Sequence, residues 1–506
     1  MKRLLKSLLY VMPLVLFFSY WPVIGLGSSE SMNFELSVPL LWLVVFDVVG
    51  LLALFRERAL LAGLKVKWWW AWLLFPVWVS LSVIWSLNPV RGVLTAGISW
   101  LLCFAGYVIW ALRKWWDAPF CVVWWRWFFG SALFACAWCV VQCVLDLVGM
   151  SQDYSLMCDG CTYHSFGFPH PNGFAIEPQF MGNLLLAPAV AIVYWLINGS
   201  SNSIFRGRVV PARLHGGHAL RLGSSLRMPL KMLFAAAFII FTLFLTFSRG
   251  AIYAFVVGLV VVSVMMLMRE RKIRAAMWKR VGIVWGIAVL SFVIVLNVQG
   301  LMAEVGPTSD TYYDGVTKVL NHLSLGVIDI RGDKTVEKGE ETGNTEGELQ
   351  GNEFVLVEKS VDNSGEKVVE NFKKEEPVFE GYVTESTDTR VRLSGAAVQV
   401  WSQSPSNTLF GVGLGGAGFA LYNNGLSPAP KEIVQNEYAS LLLETGLIGV
   451  SLFVLTILLV VRVAWKSPMR AMLFALLVAY GISLMFFSGL PNALHIYLLP
   501  ILMLVL

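Results

Sequence analysis

Charge is scarce in this sequence. Only 14% of its 506 residues are charged, against about 25% in an ordinary soluble domain. That is too little to solvate the three soluble domains of ~150 residues that the length would otherwise suggest. Cysteine is scarce too, and seven residues are too few for a disulfide scaffold in a chain of this length. A second CxxC or a paired-histidine arrangement of the kind zinc sites use is missing. Also missing is the internal repeat of an inverted-repeat transporter. Apolar residues, by contrast, make up 57% of the chain and fall in long runs almost from end to end. A soluble enzyme and a disordered chain are therefore excluded, and the formal charge of +5 bears mainly on where the charges sit relative to a membrane.

A membrane helix needs roughly 20 mainly apolar residues to cross ~30 Å of hydrocarbon. Runs of that kind lie near 7–26, 38–55, 68–86, 93–112, 119–147, 173–197, 231–247, 250–268, 281–300, 440–461, 470–488 and 491–506. They predict an all-α polytopic membrane protein of about twelve spans, nine within 1–300 and three within 440–506. The first run follows Lys2, Arg3 and Lys6 but precedes no clean small-residue cleavage site, so it reads as a retained helix with a cytoplasmic amino terminus. Counted from there, alternate loops receive Arg56, Arg58, Lys65 and Lys67, then Arg113 and Lys114, then the arginines from Arg206 to Arg227, the group Arg269–Arg280, and finally Arg462, Lys466 and Arg470. This positive-inside pattern puts both termini in the cytoplasm. It puts segment 301–439, which holds more than half of the acidic residues, on the outer side.

The outer segment has two characters. Stretches such as EKGEETGNTEGELQGNE within 331–385 cannot bury enough apolar surface to offset the entropy of ordering and read as a disordered acidic insertion. From Arg390, Val391, Ala396, Val400 and Trp401 approximate helical spacing before a Ser-Pro-Ser-Asn turn, which predicts a surface helix over 390–405. In an earlier outward loop, Cys158-Asp-Gly-Cys161 reads as a disulfide or plain thiols rather than a metal site.

Charged groups at membrane depth are costly and usually functional. Arg249 stands between two uninterrupted apolar runs in a Ser248-Arg249-Gly250 turn, where simple snorkelling to the headgroups is the plainer alternative. Arg390 and Arg392 open the surface helix, with solvation or pairing to anionic lipid as the alternative. Gln435-Asn436-Glu437-Tyr438 precedes the tenth span, where polar residues often only cap a helix. His170 and Asn172 precede Glu177-Pro178 at the start of the sixth span, and a carboxylate beside a helix-breaking proline suggests a cavity wall.

The SRGA turn between two spans, the arginine opening a surface helix, the LFGVGLGG segment and NEYASLLLETGLIG entering a span occur in an order that resembles the O-antigen ligase and polymerase superfamily of bacterial envelopes. The resemblance covers about 160–465. It implies a multi-pass protein of the bacterial plasma membrane that moves a glycan from undecaprenyl diphosphate to a glycan or lipid acceptor on the outer face, as in lipopolysaccharide biosynthesis. No metal, cofactor or nucleic acid is implied. Carried over by position, Arg249 and Arg390 would hold the donor diphosphate, and Arg392, Asn436, Glu437, His170 and Asn172 would contact substrates. Where the family usually has a histidine that activates the acceptor, this chain has Gln435, which cannot accept a proton at neutral pH. The base role then falls to Glu177, Glu437 or His170, or is absent, and the departure points to a polymerase or to a ligase for another acceptor. A polytopic transporter and a non-catalytic envelope scaffold are the competing readings; the first should show two similar halves, which the sequence lacks, and the second leaves Arg249 unexplained.

Overall fold

The computed structural model describes residues 1–20, 22–29, 32–57, 69–147, 170–199, 230–268, 274–305, 311–324, 379–430, 432–489 and 493–505. The chain opens with helix α1 (Lys2–Phe17), followed by an antiparallel hairpin of β1 (Val23–Ser29) and β2 (Met32–Ser37). The first apolar run therefore leaves the helix at Phe17 instead of continuing to 26. Pro22, Gly25, Gly27, Ser28 and Ser29 all disfavour a helix interior. Helices α2 (Val38–Arg56), α3 (Trp69–Ser82), α4 (Pro89–Ala111), α5 (Ala118–Leu147) and α6 (Pro178–Asn198) follow, then α7 (Leu230–Leu245), α8 (Arg249–Leu267) and α9 (Arg274–Val305).

Four further helices come next: α10 (Tyr312–Leu323), α11 (Phe379–Trp401), α12 (Pro405–Phe410) and α13 (Ala417–Asn423). The chain ends with α14 (Glu437–Ala464), α15 (Arg470–Ser483) and α16 (Leu494–Val505). Among the described residues seven helices, α2, α4, α5, α6, α8, α9 and α14, are long and apolar enough to cross a membrane, and α3, α7, α15 and α16 are shorter apolar helices. The protein is an all-α membrane protein.

Helix α6 is the axis of the bundle, with 94% of its apolar window buried, against 17% for α14. Its neighbours are α7, α8 and α15. A side chain at Gly182 would bring a Cβ within 2.8 Å of Ser248 Cβ and 2.9 Å of Ala251 Cβ, so this glycine lets the α7–α8 turn press directly against α6. At the far end of α6, Arg280 Nη1 donates to the Ile197 carbonyl at 3.3 Å, so the two ends of the helix face different groups of polar residues.

Helix α11 begins at Phe379 and ends at Trp401, earlier at both ends than the expected 390–405. Residues 379–385 thus belong to the helix and not to the acidic stretch. The separate helix α12 is started by Ser404, whose Oγ accepts the Asn407 N–H at 3.1 Å, with Pro405 at its first position. Residues 325–378, Cys158, Cys161 and the arginines Arg206–Arg227 lie outside the described residues.

The glycine motifs have a shared structural cause. Helix α14 is broken at Gly446, whose φ of 64° a residue with a side chain rarely adopts, and a Cβ there would sit 2.3 Å from the Leu409 carbonyl oxygen. Gly411, Gly413 and Gly415 also have positive φ. Their loop lies along the break, with the Val412 N–H donating to the Leu443 carbonyl at 2.9 Å and the Gly413 N–H to the Glu444 carbonyl at 3.0 Å. The Glu444 carboxylate accepts the Ala417 N–H at 3.3 Å, which ties α13 to the same place.

Candidate functional site

The turn between α7 and α8 is tight. Phe247 has a positive φ of 49°, a sparsely populated conformation for an aromatic residue. Ser248 caps α8 by accepting the Ala251 N–H at 3.4 Å. Arg249 is therefore the first residue of α8, and it is buried, with 5% of its surface exposed. A snorkelling arginine would be exposed, so that alternative does not describe it.

Three other segments meet this turn. From α10, a His322 ring nitrogen lies 3.1 Å from the Phe247 carbonyl oxygen. Because a carbonyl only accepts, Nε2 carries the proton and Nδ1 carries the lone pair. Helix α10 is set in place by a reciprocal cap: Thr311 Oγ1 accepts the Asp314 N–H, and the Asp314 carboxylate accepts the Thr311 N–H at 3.0 Å. The Tyr253 hydroxyl of α8 donates to the Leu323 carbonyl. Burial holds the His322 imidazole well below the usual histidine value, and the charges of Arg249, His170 and Arg390 push the same way against the Phe247 carbonyl. His322 is thus neutral and within electrostatic reach of both arginines.

From α11, Arg390 Nη2 donates to Gln179 Oε1 at 3.1 Å. Gln179 in turn donates to the Phe486 carbonyl. Glu177, the residue just before α6, has its carboxyl pushed up by burial, with the Arg390 charge opposing. Arg249, Arg390, His170 and Glu177 thus gather at one end of α6, together with His322 and Gln179, which the sequence reading did not single out.

The remaining candidates have local partners. Asn172 is fully buried and accepts Gln142 Nε2 at 2.6 Å, while Gln142 Oε1 accepts the Gly173 N–H at 3.0 Å, so its amide braces the turn before α6. Asn436 caps α14, accepting the N–H groups of Tyr438 and Ala439 at 3.1 and 3.2 Å. The buried Glu437 carboxylate accepts the Gly489 N–H at 2.7 Å, the Ser488 hydroxyl at 3.2 Å and the Tyr497 hydroxyl at 3.3 Å. Arg392 is exposed and Gln435 is half-buried.

Segment 484–489 joins the two halves of the site. The Leu484 carbonyl accepts the Glu437 N–H at 3.0 Å, the Phe486 carbonyl accepts from Gln179, and Phe486 packs on Gly250, where an added Cβ would come within 2.8 Å of the Phe486 Cβ.

Residues 234–454 match a family model described as O-antigen ligase. The match supports the resemblance of this chain to the O-antigen ligase and polymerase superfamily. No curated protein matches the sequence. The matched region runs from within α7 into α14 and so includes Arg249, His322, Arg390 and Gln435 but not Glu177 or Gln179. The match supports a glycan-transferring enzyme of the membrane and gives the clustered arginines a chemical context. His322 was missed in the sequence because a lone histidine in the short amphipathic stretch TYYDGVTKVLNHL carries no spacing signal. The only cue was the Thr-x-x-Asp start, which marks a helix and not a site.

Proposed function

We propose that this protein transfers a glycan from undecaprenyl diphosphate to a hydroxyl acceptor on the outer face of the bacterial plasma membrane. In this reading the chain has twelve spans, both termini are cytoplasmic, and α10–α13 lie outside. The observation that carries it is the convergence of Arg249 and Arg390, distant in sequence, at one end of α6 around the buried imidazole of His322, which bonds the Phe247 carbonyl two residues before Arg249.

Two guanidinium groups suit a diphosphate because each can meet phosphate oxygens with a planar pair of donors. Charge grows on the departing diphosphate as the bond to the anomeric carbon breaks, and fixed cations in a water-poor site stabilise that charge. The acceptor oxygen forms the new bond to the anomeric carbon, the old carbon–oxygen bond leaves its electron pair on the diphosphate, and the hydroxyl proton passes to a base. His322 Nδ1 is suited to that role, which Gln435 cannot fill. Bound diphosphate would offset the two arginine charges that depress His322, so the imidazole becomes more basic when donor is present. An apolar cavity lined by Phe75, Phe453, Ile457 and Pro500 reaches Tyr438 and Tyr497 beside Glu437, and it supports a route for the polyprenyl tail.

The test is transfer from purified lipid-linked donor in liposomes, with chelator present to establish metal independence. Arg249→Ala and Arg390→Ala should each lose most of the activity at normal protein levels. Full activity in both would overturn the reading. In cells, loss of chain length in a deletion strain would mark a polymerase, and accumulation of lipid-linked polymer would mark a ligase.

A further inference from the structure

A second, larger cavity lies away from the arginines, where the end of α11 meets α12, α13 and the 3₁₀ turn after α3. It has a volume of about 610 Å³, well inside the range of small-molecule sites. Its lining contains no charged residue. A phosphate or carboxylate ligand would find no cation there, and a metal or ammonium group would find no carboxylate.

The lining contains two other things. One is an aromatic wall: Trp85 and Phe410 are 38% and 41% exposed, and with Trp78 they form a mutually packed triad with ring centres 5.9 to 6.3 Å apart. The Trp78 indole is fixed by its N–H to the Thr445 carbonyl at 3.0 Å. The other is a set of carboxamides, Gln403, Asn407, Asn423 and Asn424. Three of them are held in place: Gln403 Nε2 donates to Asn424 Oδ1 at 3.1 Å, Asn424 Nδ2 to the Ala420 carbonyl at 2.8 Å, and Asn407 Nδ2 to the Val400 carbonyl at 3.2 Å.

Carboxamides offer both donors and acceptors, as a ring of hydroxyl groups requires. The C–H faces of a sugar ring lie well against exposed aromatic rings that present apolar area at low entropic cost. We propose that this cavity is a binding subsite for an uncharged glycan, separate from the diphosphate site. The assignment rests on the glycan-transfer reading above and adds where the sugar chain lies. Helix α11 carries both places. Arg390 and Val400 are about 15 Å apart along it at 1.5 Å per residue, a spacing that lets one glycan reach the cavity while its reducing end sits at the arginines.

The experiment uses the full chain in detergent micelles and, as the probe, neutral oligosaccharides released by mild acid from the lipid-linked glycans of the host. Binding is read by calorimetry for the wild type, Phe410→Ala, Trp85→Phe, and the exposed-position variants Gln403→Ala and Asn424→Ala, which leave the packed triad intact. Saturable binding is expected. It should weaken roughly tenfold in Phe410→Ala and measurably in Gln403→Ala and Asn424→Ala. It should persist in Arg249→Ala, which loses transfer. Absence of binding to the wild type, or equal binding by the wild type and all four cavity variants, would overturn the subsite. Transfer that survives Arg249→Ala would instead overturn the catalytic reading, so the two failures are distinguishable.

Discussion

Helix α11 passes two places built on opposite principles. Around Arg390 the surroundings are ionisable and buried: Arg249, His322, His170 and Glu177 all sit at one end of α6, where burial and the neighbouring cations hold His322 down and burial pushes Glu177 up against the Arg390 charge. Ten residues further along, the cavity beside Val400 is open, aromatic and uncharged. Burying charge without compensation is expensive, so the first place is worth its cost only if a charged ligand completes it. The second needs no such partner and can hold a neutral ligand by contact and hydrogen bonds alone. The difference separates the part of the molecule suited to breaking a bond from the part suited to holding a chain.

The sharpest way to break this contrast is at His322. General-base catalysis contributes about 10²–10⁴-fold, so His322→Gln should lower kcat by that order while donor KM stays near wild type, measured as initial rates in liposomes. The pH profile adds a test that a structural role would not pass. In the free protein burial and the arginines hold the imidazole below its usual value, and bound diphosphate should raise it. As the medium is acidified, kcat should therefore fall at a higher pH than kcat/KM. Coincident profiles would remove the imidazole from the reaction.

Next in size is the arginine pair. A hydrogen bond to a charged group is worth about 1.5–3 kcal/mol, so Arg249→Ala should slow transfer roughly ten- to more than a hundredfold. Arg249→Lys should recover only part, because it keeps the charge but loses the planar fork. Gln179→Ala should cost less, since it removes the side chain that aims Arg390 and leaves Arg390 itself. A loss equal to that of Arg390→Ala would mean that Gln179 touches substrate.

A smaller effect is expected on stability. The unfolded chain takes up a proton at His322 below about pH 6.5, and the folded site resists it. The histidine's contribution to stability should therefore be unchanged above that pH and decline as pH falls below it. Thermal unfolding of wild type and His322→Gln from pH 8 to 5 should show a steeper acid loss in the wild type.

The smallest effect concerns the acidic stretch. Replacing 331–378 with a short Gly/Ser linker, and leaving 379–385 to helix α11, should preserve both expression and transfer, because loop length changes closure entropy only slowly. Loss of transfer at normal protein level would show that the stretch contributes to the acceptor site.

Much of this molecule was legible in the sequence. Apolar run length located α2–α8 and α14–α16 to within about five residues, though not the full extent of α9 or the shorter helices between α9 and α14, because the preference for hydrocarbon accumulates residue by residue along the chain. The Ser-Arg-Gly turn was legible for the same reason, as the break between two such runs, and Asn436 was readable as a cap. Three things were not legible. The hairpin after α1 depends on glycine and serine interrupting a run that is apolar on average. Arg390 and Arg392 look alike in the sequence, yet one turns to Gln179 while the other is exposed. His322 carries no motif at all.

By itself, then, the sequence determined that the chain belongs in a membrane, where most of its helices lie, and that an arginine stands between two of them. These follow from composition and local spacing. The tertiary structure alone decided which polar groups meet. His322 reaches the Phe247 carbonyl across 75 residues and Arg390 reaches Gln179 across 211, and contacts at such separation depend on how helices pack around α6. Glycines at 182 and 250 let the α7–α8 turn press against α6 and Phe486, and their reason for being small is visible only once the facing atoms are in place.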